Sequence, residues 1–189
     1  MLLTASVALC NNWSSYQRIY RFMMISGFFL TAIHILIAFT PLFDFVVQKI
    51  LGVPDEIIEP ARIGLRILTP WTWAIAFRRC QQGVLIRFGH PEAVSIGTVI
   101  RLCSGLIILA IGLMVQTIPG YIIGATAQTV GTFCEAVFAG IRVQPILKYK
   151  LKALPAGDPI PWKSFFAFYS PLALTSILNQ VWQPIGSAA

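Results

Sequence analysis

The chain has 189 residues, of which 57% are hydrophobic and only 11% are charged. So few charges cannot cover the outside of a soluble protein of this length, since soluble domains carry about 25% charged residues. The composition excludes an ordinary soluble enzyme, a disordered chain and a coiled coil, and it predicts an all-α, polytopic membrane helix bundle. The net charge of +7 does not argue for nucleic acid as a partner, because Lys and Arg collect in the cytoplasmic loops of membrane proteins.

Five apolar stretches are long enough, or nearly so, to cross a bilayer, which takes roughly 20 residues of helix. In chain order they predict membrane helices at about 22–43, 61–77, 93–115, 119–141 and 164–189, and the first ten residues resemble the end of a further helix. We divide the chain into a partial N-terminal transmembrane bundle over 1–152, a proline-rich cytoplasmic linker over 153–163, and the truncated first helix of a second bundle over 164–189. The chain is therefore expected to be a fragment whose second transmembrane bundle is missing.

The charges of the connections agree with this alternation. The segment before the first span, the loop 78–92 and the loop 142–163 together contain ten of the fourteen basic residues, whereas 44–60 contains four acids and one lysine. The positive-inside rule makes the three basic connections cytoplasmic. The predicted location is a multi-pass protein of a plasma or inner membrane.

Charged side chains inside spans usually face a bundle interior or a water-filled cavity. Arg101 lies about nine residues into the third span, and Glu135 lies about six residues from the cytoplasmic end of the fourth, so their depths match. We expect the two side chains to form an intramembrane pair. The pair is either a structural salt bridge that fixes helix register or a site for a substrate or a coupling proton.

Two further predictions concern polar residues near span ends or inside spans. Arg62 and Arg66 form either a paired helix end, with Glu59 beside Arg62, or an anion-attracting rim. Asn179 and Gln183 share one face of the fifth span with Thr175, and that face serves inter-helix hydrogen bonding or lines a cavity. The candidate substrate-binding or coupling residues are Arg66, Arg101, Glu135, Asn179 and Gln183.

Enzyme motifs are absent from the sequence, which contains no GxSxG, HExxH or Walker A pattern. The four cysteines are scattered and include no CxxC pair, which argues against a metal or redox motif. We expect no catalytic residue, no metal site and no cofactor. The expected partners are the lipid bilayer and a small-molecule substrate.

A family resemblance is visible in two stretches. Residues 33–56 (IHILIAFTPLFDFVVQKILGVPDE), followed by a second span that opens on E-x-x-R-x-x-x-R-I-x-x-P, resemble the multidrug/oligosaccharidyl-lipid/polysaccharide flippase superfamily, which includes the multidrug and toxin extrusion (MATE) transporters. Residues 168–185 (FYSPLALTSILNQVWQPI) are similar to the start of the seventh helix of the progressive ankylosis protein family. Arg101 and Glu135 also fall where that family has an Arg or a polar neighbour and a Glu.

The resemblance implies a MATE-like first half, plus the first helix of the second half, covering helices two to seven. It implies a secondary active transporter that works by alternating access and exports small organic or phosphate-containing anions. Helix one of the family, which often carries the acid for the coupling ion, has no counterpart in this chain. The alternative function is a non-transporting membrane scaffold or a truncated remnant.

The topology predicts that residue 87 faces the cytoplasm. A membrane-impermeant thiol reagent should not label an introduced Arg87→Cys in intact cells, above the signal of the unmodified chain. The same variant should react once the cells are permeabilised. Labelling from outside intact cells would contradict the predicted topology.

Overall fold

The computed structural model describes residues 1–50, 52, 54–155, 157–158 and 160–187, and their side chains except at 50, 177 and 179–187. The regular structure of these residues is helical throughout. The helices are α1 (Leu2–Leu9), α2 (Trp13–Phe39), α3 (Leu42–Asp44), α4 (Asp55–Ile67), α5 (Thr69–Arg87), α6 (Glu92–Val115), α7 (Gly120–Pro145) and α8 (Trp162–Ser187). A π-helix continues α3 over Phe45–Ile50, and another continues α7 over Ile146–Leu151.

Among the residues that the structure describes, three helical segments are long and apolar enough to cross a membrane. They are Trp13–Phe39, Glu92–Val115 and Gly120–Leu151. The predicted span at 93–115 falls within the second of these, the span at 119–141 lies in the third except for residue 119, and most of the span predicted at 22–43 lies in α2. The all-helical class is confirmed for the described residues.

The bounds of α2 differ from the prediction because capping, rather than hydropathy, sets its ends. Asn12 caps the N-terminus with a side-chain oxygen that accepts a 2.8 Å hydrogen bond from the Ser15 amide. The helix stops at Phe39, since Thr40 is extended and precedes Pro41, and a residue before proline disfavours helical geometry. Arg18 and Arg21 consequently lie inside the helix rather than in a loop before it.

The prediction of one helix over 61–77 is wrong. That stretch contains a helix break, since α4 ends at Ile67, Leu68 forms a turn, and α5 starts at Thr69. Pro70 lies in the first turn of α5, where its missing amide hydrogen costs no intrahelical bond. Proline therefore ends one helix and begins the next at this point.

The predicted loops 78–92 and 142–163 are both shorter than expected. Helix α5 runs to Arg87, and α7 with its π-helix runs to Leu151. Arg78 is buried, with 6% of its surface exposed. The prediction of a solvated loop is wrong for Arg78, because this arginine pairs with the buried carboxylate of Glu135.

Helix α1 packs closely on α5. A Cβ atom added to Gly83 would lie 2.5 Å from the Leu3 carbonyl oxygen and 2.5 Å from Ser6 Cβ, so only glycine fits there. Arg87 holds the other end of α1, since it donates hydrogen bonds to the Val7 carbonyl and the Asn11 side chain. The N-terminal segment is thus an integral part of the bundle.

The linker predicted at 153–163 crosses the start of α2. Asn12 donates a 3.4 Å hydrogen bond to the Asp158 carbonyl, and Arg18 donates one to the Ile160 carbonyl. Helix α8 then packs on α2 through aromatic rings, with the Phe22 and Phe165 centroids 4.8 Å apart. These contacts fix the start of α8 against the first long helix.

The contact at Gly83 yields a stability prediction. Gly83→Ala should lower the free energy of unfolding by about 1–3 kcal/mol, because the added methyl group overpacks the α1–α5 contact. Gly64→Ala is the matched control inside α4, where a Cβ would meet nothing within 4 Å. It should be neutral or stabilising by up to about 1 kcal/mol. Thermal unfolding in detergent compares the two, and equal effects would contradict the close contact.

Candidate functional site

A buried charge cluster lies between α5, α6 and α7. Its centre is Glu135, which has no exposed surface. One carboxylate oxygen accepts a hydrogen bond from Arg78 Nη1, and the other accepts a 2.8 Å bond from Gln82 Nε2. The pair is buried on both sides, since only 7% of the Arg78 side chain is exposed.

Arg101 is the second cation of the cluster. Its Nε atom lies 3.4 Å from Glu135 Oε2, which is ion-pair distance, but the N–H does not point at the carboxylate well enough to form a hydrogen bond. A third of the Arg101 side chain, 33%, is exposed. The predicted pair of Arg101 and Glu135 therefore exists, but the direct hydrogen-bonded partner of Glu135 is Arg78.

Small residues bring α6 and α7 close enough for the contact between Arg101 and Glu135. The Cβ of a residue at Gly97 would lie 3.2 Å from Glu135 Cγ, and one at Gly131 would lie 2.8 Å from the Arg101 carbonyl oxygen. Arg78 and Gln82 are one turn apart on α5, so both reach the same carboxylate. Gly131 thus allows the close approach of α7 to α6.

The cluster carries an excess of positive charge. Two guanidinium groups face one carboxylate, and the amide of Gln82 is neutral. Within the described part of the chain, Arg78 Nε, Gln82 Oε1 and Arg101 Nε have no hydrogen-bond partner although they are buried. Unpartnered buried polar atoms are rare in native structures, and each calls for an explanation.

Arg101 also lines a groove on the outer side of the cluster. The groove lies between α6 and α7, has a volume of about 340 Å³, and includes Gln128, Gly105 and Gly124. Its other lining side chains are apolar. A buried carboxylate is thus connected through Arg101 to an accessible surface.

The break between α4 and α5 is a second polar feature. The last carbonyls of a helix lack intrahelical partners, and here two of them are met by side chains from other helices. The Leu65 carbonyl lies 2.9 Å from His34 Nε2, and Thr129 donates a 3.2 Å bond to the Ile67 carbonyl. Because a carbonyl only accepts, His34 Nε2 carries a proton, and its Nδ1, 2.9 Å from the Thr72 hydroxyl, accepts from it in the neutral ring. His34 is therefore hydrogen-bonded at both nitrogens, as expected for a packing residue.

The arginines of α4 are bound at a helix end. Arg62 forms ion pairs with Asp44 and, at 3.6 Å, with Glu59, which agrees with the interpretation of a paired end. Arg66 Nε donates a 3.0 Å bond to the Ala38 carbonyl, in the last turn of α2, and its guanidinium lies 5.1 Å from the centre of the Phe39 ring. Arg66 thus caps α2 and does not join the cluster around Glu135.

The predicted residues of the fifth span are not part of this cluster either. The side chains of Asn179 and Gln183 lie outside the described residues, so the structure does not locate them. The described side chains of α8 contact α2, whereas Arg101 and Glu135 lie on α6 and α7. A single cavity that combines these four residues stays a prediction.

Two residues of the cluster were missed by sequence reasoning. Arg78 was assigned to a cytoplasmic loop, and Gln82 was not singled out. The available signal was the spacing of Arg78 and Gln82 by four residues, followed by an apolar run that continues the helix. When two polar residues one helical turn apart precede such a run, the pattern is as consistent with a buried polar face of a helix as with a loop.

Comparisons with protein-family models, with curated proteins and with solved structures gave no match to this chain. The resemblance to the flippase superfamily therefore stays a prediction drawn from the residues quoted above. Within the described residues, no group of three or more His, Cys, Asp and Glu side chains is placed to hold a metal ion.

The geometry predicts that Arg78 contributes more than Arg101 to the cost of removing the charge of Glu135. Glu135→Gln should lower the free energy of unfolding by about 3–5 kcal/mol, because it leaves buried cations without a counter-charge. Adding Arg78→Gln should restore more of that loss than adding Arg101→Gln, since Arg101 is partly exposed and Arg78 is not. Thermal unfolding of the single and the two double variants measures the ranking. Wild-type stability of Glu135→Gln, or better rescue by Arg101→Gln, would contradict it.

Proposed function

We propose that the chain belongs to a secondary active transporter of small organic or phosphate-containing anions that works by alternating access. The resemblance to the MATE and progressive ankylosis families motivates this proposal. In those transporters the path lies between two bundles, so this chain would contribute the first bundle and the start of the second. Transport, not catalysis, is also the function that the absence of enzyme motifs in the sequence favours.

The observation that carries the proposal is the excess positive charge of the buried cluster. Ionisable residues among membrane helices are costly and commonly mark substrate or ion pathways. Arg78 and Gln82, which both lie on α5, each donate a hydrogen bond to the carboxylate of Glu135. Arg101 then has a positive charge that Glu135 does not fully neutralise, and part of its side chain is accessible from the groove between α6 and α7.

This arrangement separates two roles. Arg78 and Glu135 form the buried pair that holds α5 and α7 in register. Arg101 is the group that an anion would meet, and Gln128 beside it in the groove offers neutral hydrogen-bonding atoms. The broken helix at Leu68 supplies the irregular backbone that transporter helices often contain near their substrate sites.

The test is an exchange assay on proteoliposomes that contain the product of the complete gene. The probes are radiolabelled inorganic phosphate, a dicarboxylate and a nucleotide. A quaternary ammonium cation is the control substrate of opposite charge. Saturable exchange of at least one anion is expected. Arg101→Gln should lower that exchange at least about tenfold while the variant stays folded, because its guanidinium is the accessible cation of the cluster.

Arg142→Gln is the matched control, since Arg142 is exposed on the last part of α7 and lies outside the cluster. It should exchange anions at the wild-type rate. If no probe exchanges with the wild-type protein, the non-transporting scaffold is favoured. Unchanged exchange in Arg101→Gln would remove the proposed role of this residue, and exchange of the cation alone would overturn the anion specificity.

A further inference from the structure

An open groove runs between α2 and α8 on the outside of the bundle. It has a volume of about 610 Å³, and its walls are almost entirely apolar. The lining side chains include Phe22, Ile25 and Phe29 of α2 and Trp162, Phe166 and Tyr169 of α8. Several of them are large and exposed, such as Phe29 with 61% and Phe166 with 46% of their surfaces accessible.

The groove is comparable in length with the hydrocarbon part of one membrane leaflet. Along α2 it extends from Phe22 to Leu30, which is roughly 12 Å at 1.5 Å per residue. Half of a hydrocarbon core about 30 Å thick is roughly 15 Å. A single acyl chain that runs along α2 therefore matches the groove in length and in polarity.

The end of the groove where both helices begin is basic. Arg21 is exposed and lies four residues before Ile25, on the same face of α2. Lys163 is exposed and lies three residues before Phe166 on α8. Neither has a hydrogen-bond or acidic partner among the residues that the structure describes.

Neighbouring charges do not cancel this pair. Arg18 is already bound, since it donates to the Ile160 carbonyl and lies 5.3 Å from the centre of the Trp162 ring. Asp158 is the one acid in the sequence of α2, the linker and α8. Arg21 and Lys163 are therefore two exposed cations without an acidic partner among the described residues, and each is the sequence neighbour of a residue that lines the groove, Phe22 and Trp162.

We propose that this groove is a binding site for an anionic phospholipid of the leaflet at the basic end of the bundle. One acyl chain lies between α2 and α8, against the rings of Phe22, Phe166 and Tyr169. The headgroup phosphate binds Arg21 and Lys163. Basic residues at such positions favour anionic over zwitterionic lipids, because each cation near the surface adds to the attraction. The site is independent of the proposed transport function.

Native mass spectrometry of the delipidated protein in detergent tests the site. The probes are phosphatidylglycerol and phosphatidylcholine with identical acyl chains. The wild-type protein should retain the anionic lipid about tenfold more than the zwitterionic one. Arg21→Gln with Lys163→Gln should abolish this preference, whereas Arg142→Gln with Lys148→Gln, which removes the same charge from α7 and its π-helix, should keep it.

A third variant tests the acyl-chain part of the site. Ser26 lines the groove, so Ser26→Trp should reduce retention of both lipids several-fold while leaving the basic residues in place. Circular dichroism confirms that each variant is folded. Equal retention of the two lipids by the wild-type protein, equal loss in the two double variants, or undiminished retention in Ser26→Trp would each overturn the proposal.

Discussion

The ion pair of Arg78 and Glu135 is the constraint on which the arrangement of α5, α6 and α7 depends. A fully buried carboxylate is tolerated only with cations and hydrogen-bond donors close by, and here they come from two other helices. Gly97 and Gly131 allow α6 and α7 to approach each other, which places Arg101 beside Glu135, and Arg78 and Gln82 reach the same carboxylate from α5. Sliding any of the three helices by one turn would separate the charges, which fixes their register.

The excess of cations over acids links this structural role to the proposed function. A cluster built only for stability would be neutral and fully hydrogen-bonded, because a partly satisfied buried network is costly. In this cluster Arg101 is held at ion-pair distance without a hydrogen bond, and it is partly exposed. The same helices therefore provide a buried pair and a partly accessible cation, the two features on which the proposed anion pathway rests.

The helix break at Leu68 and the groove beside α8 are the other places where the bundle departs from simple packing. At the break, side chains of α2 and α7 bind the Leu65 and Ile67 carbonyls, which the end of α4 leaves without helical partners. At the groove, apolar rings of α2 and α8 stay uncovered, and the exposed Arg21 and Lys163 are sequence neighbours of its lining residues. Each feature has a partner of a defined kind. At the break, the His34 and Thr129 side chains bind backbone carbonyls, and at the groove the partner is the proposed anionic lipid.

The sequence by itself determined the helical class, three of the long apolar helices, and the matched depth of Arg101 and Glu135, because these depend on composition, hydropathy and spacing along one helix. The tertiary structure decided which cation bonds to Glu135, where the second predicted span breaks, and that Arg66 caps α2. Those outcomes depend on contacts between residues far apart in the chain, such as Arg78 with Glu135 and His34 with Leu65. The positions of charged residues in the sequence could not reveal them, because an arginine can lie in a solvated loop or be buried beside a carboxylate, and only the tertiary contacts distinguish the two.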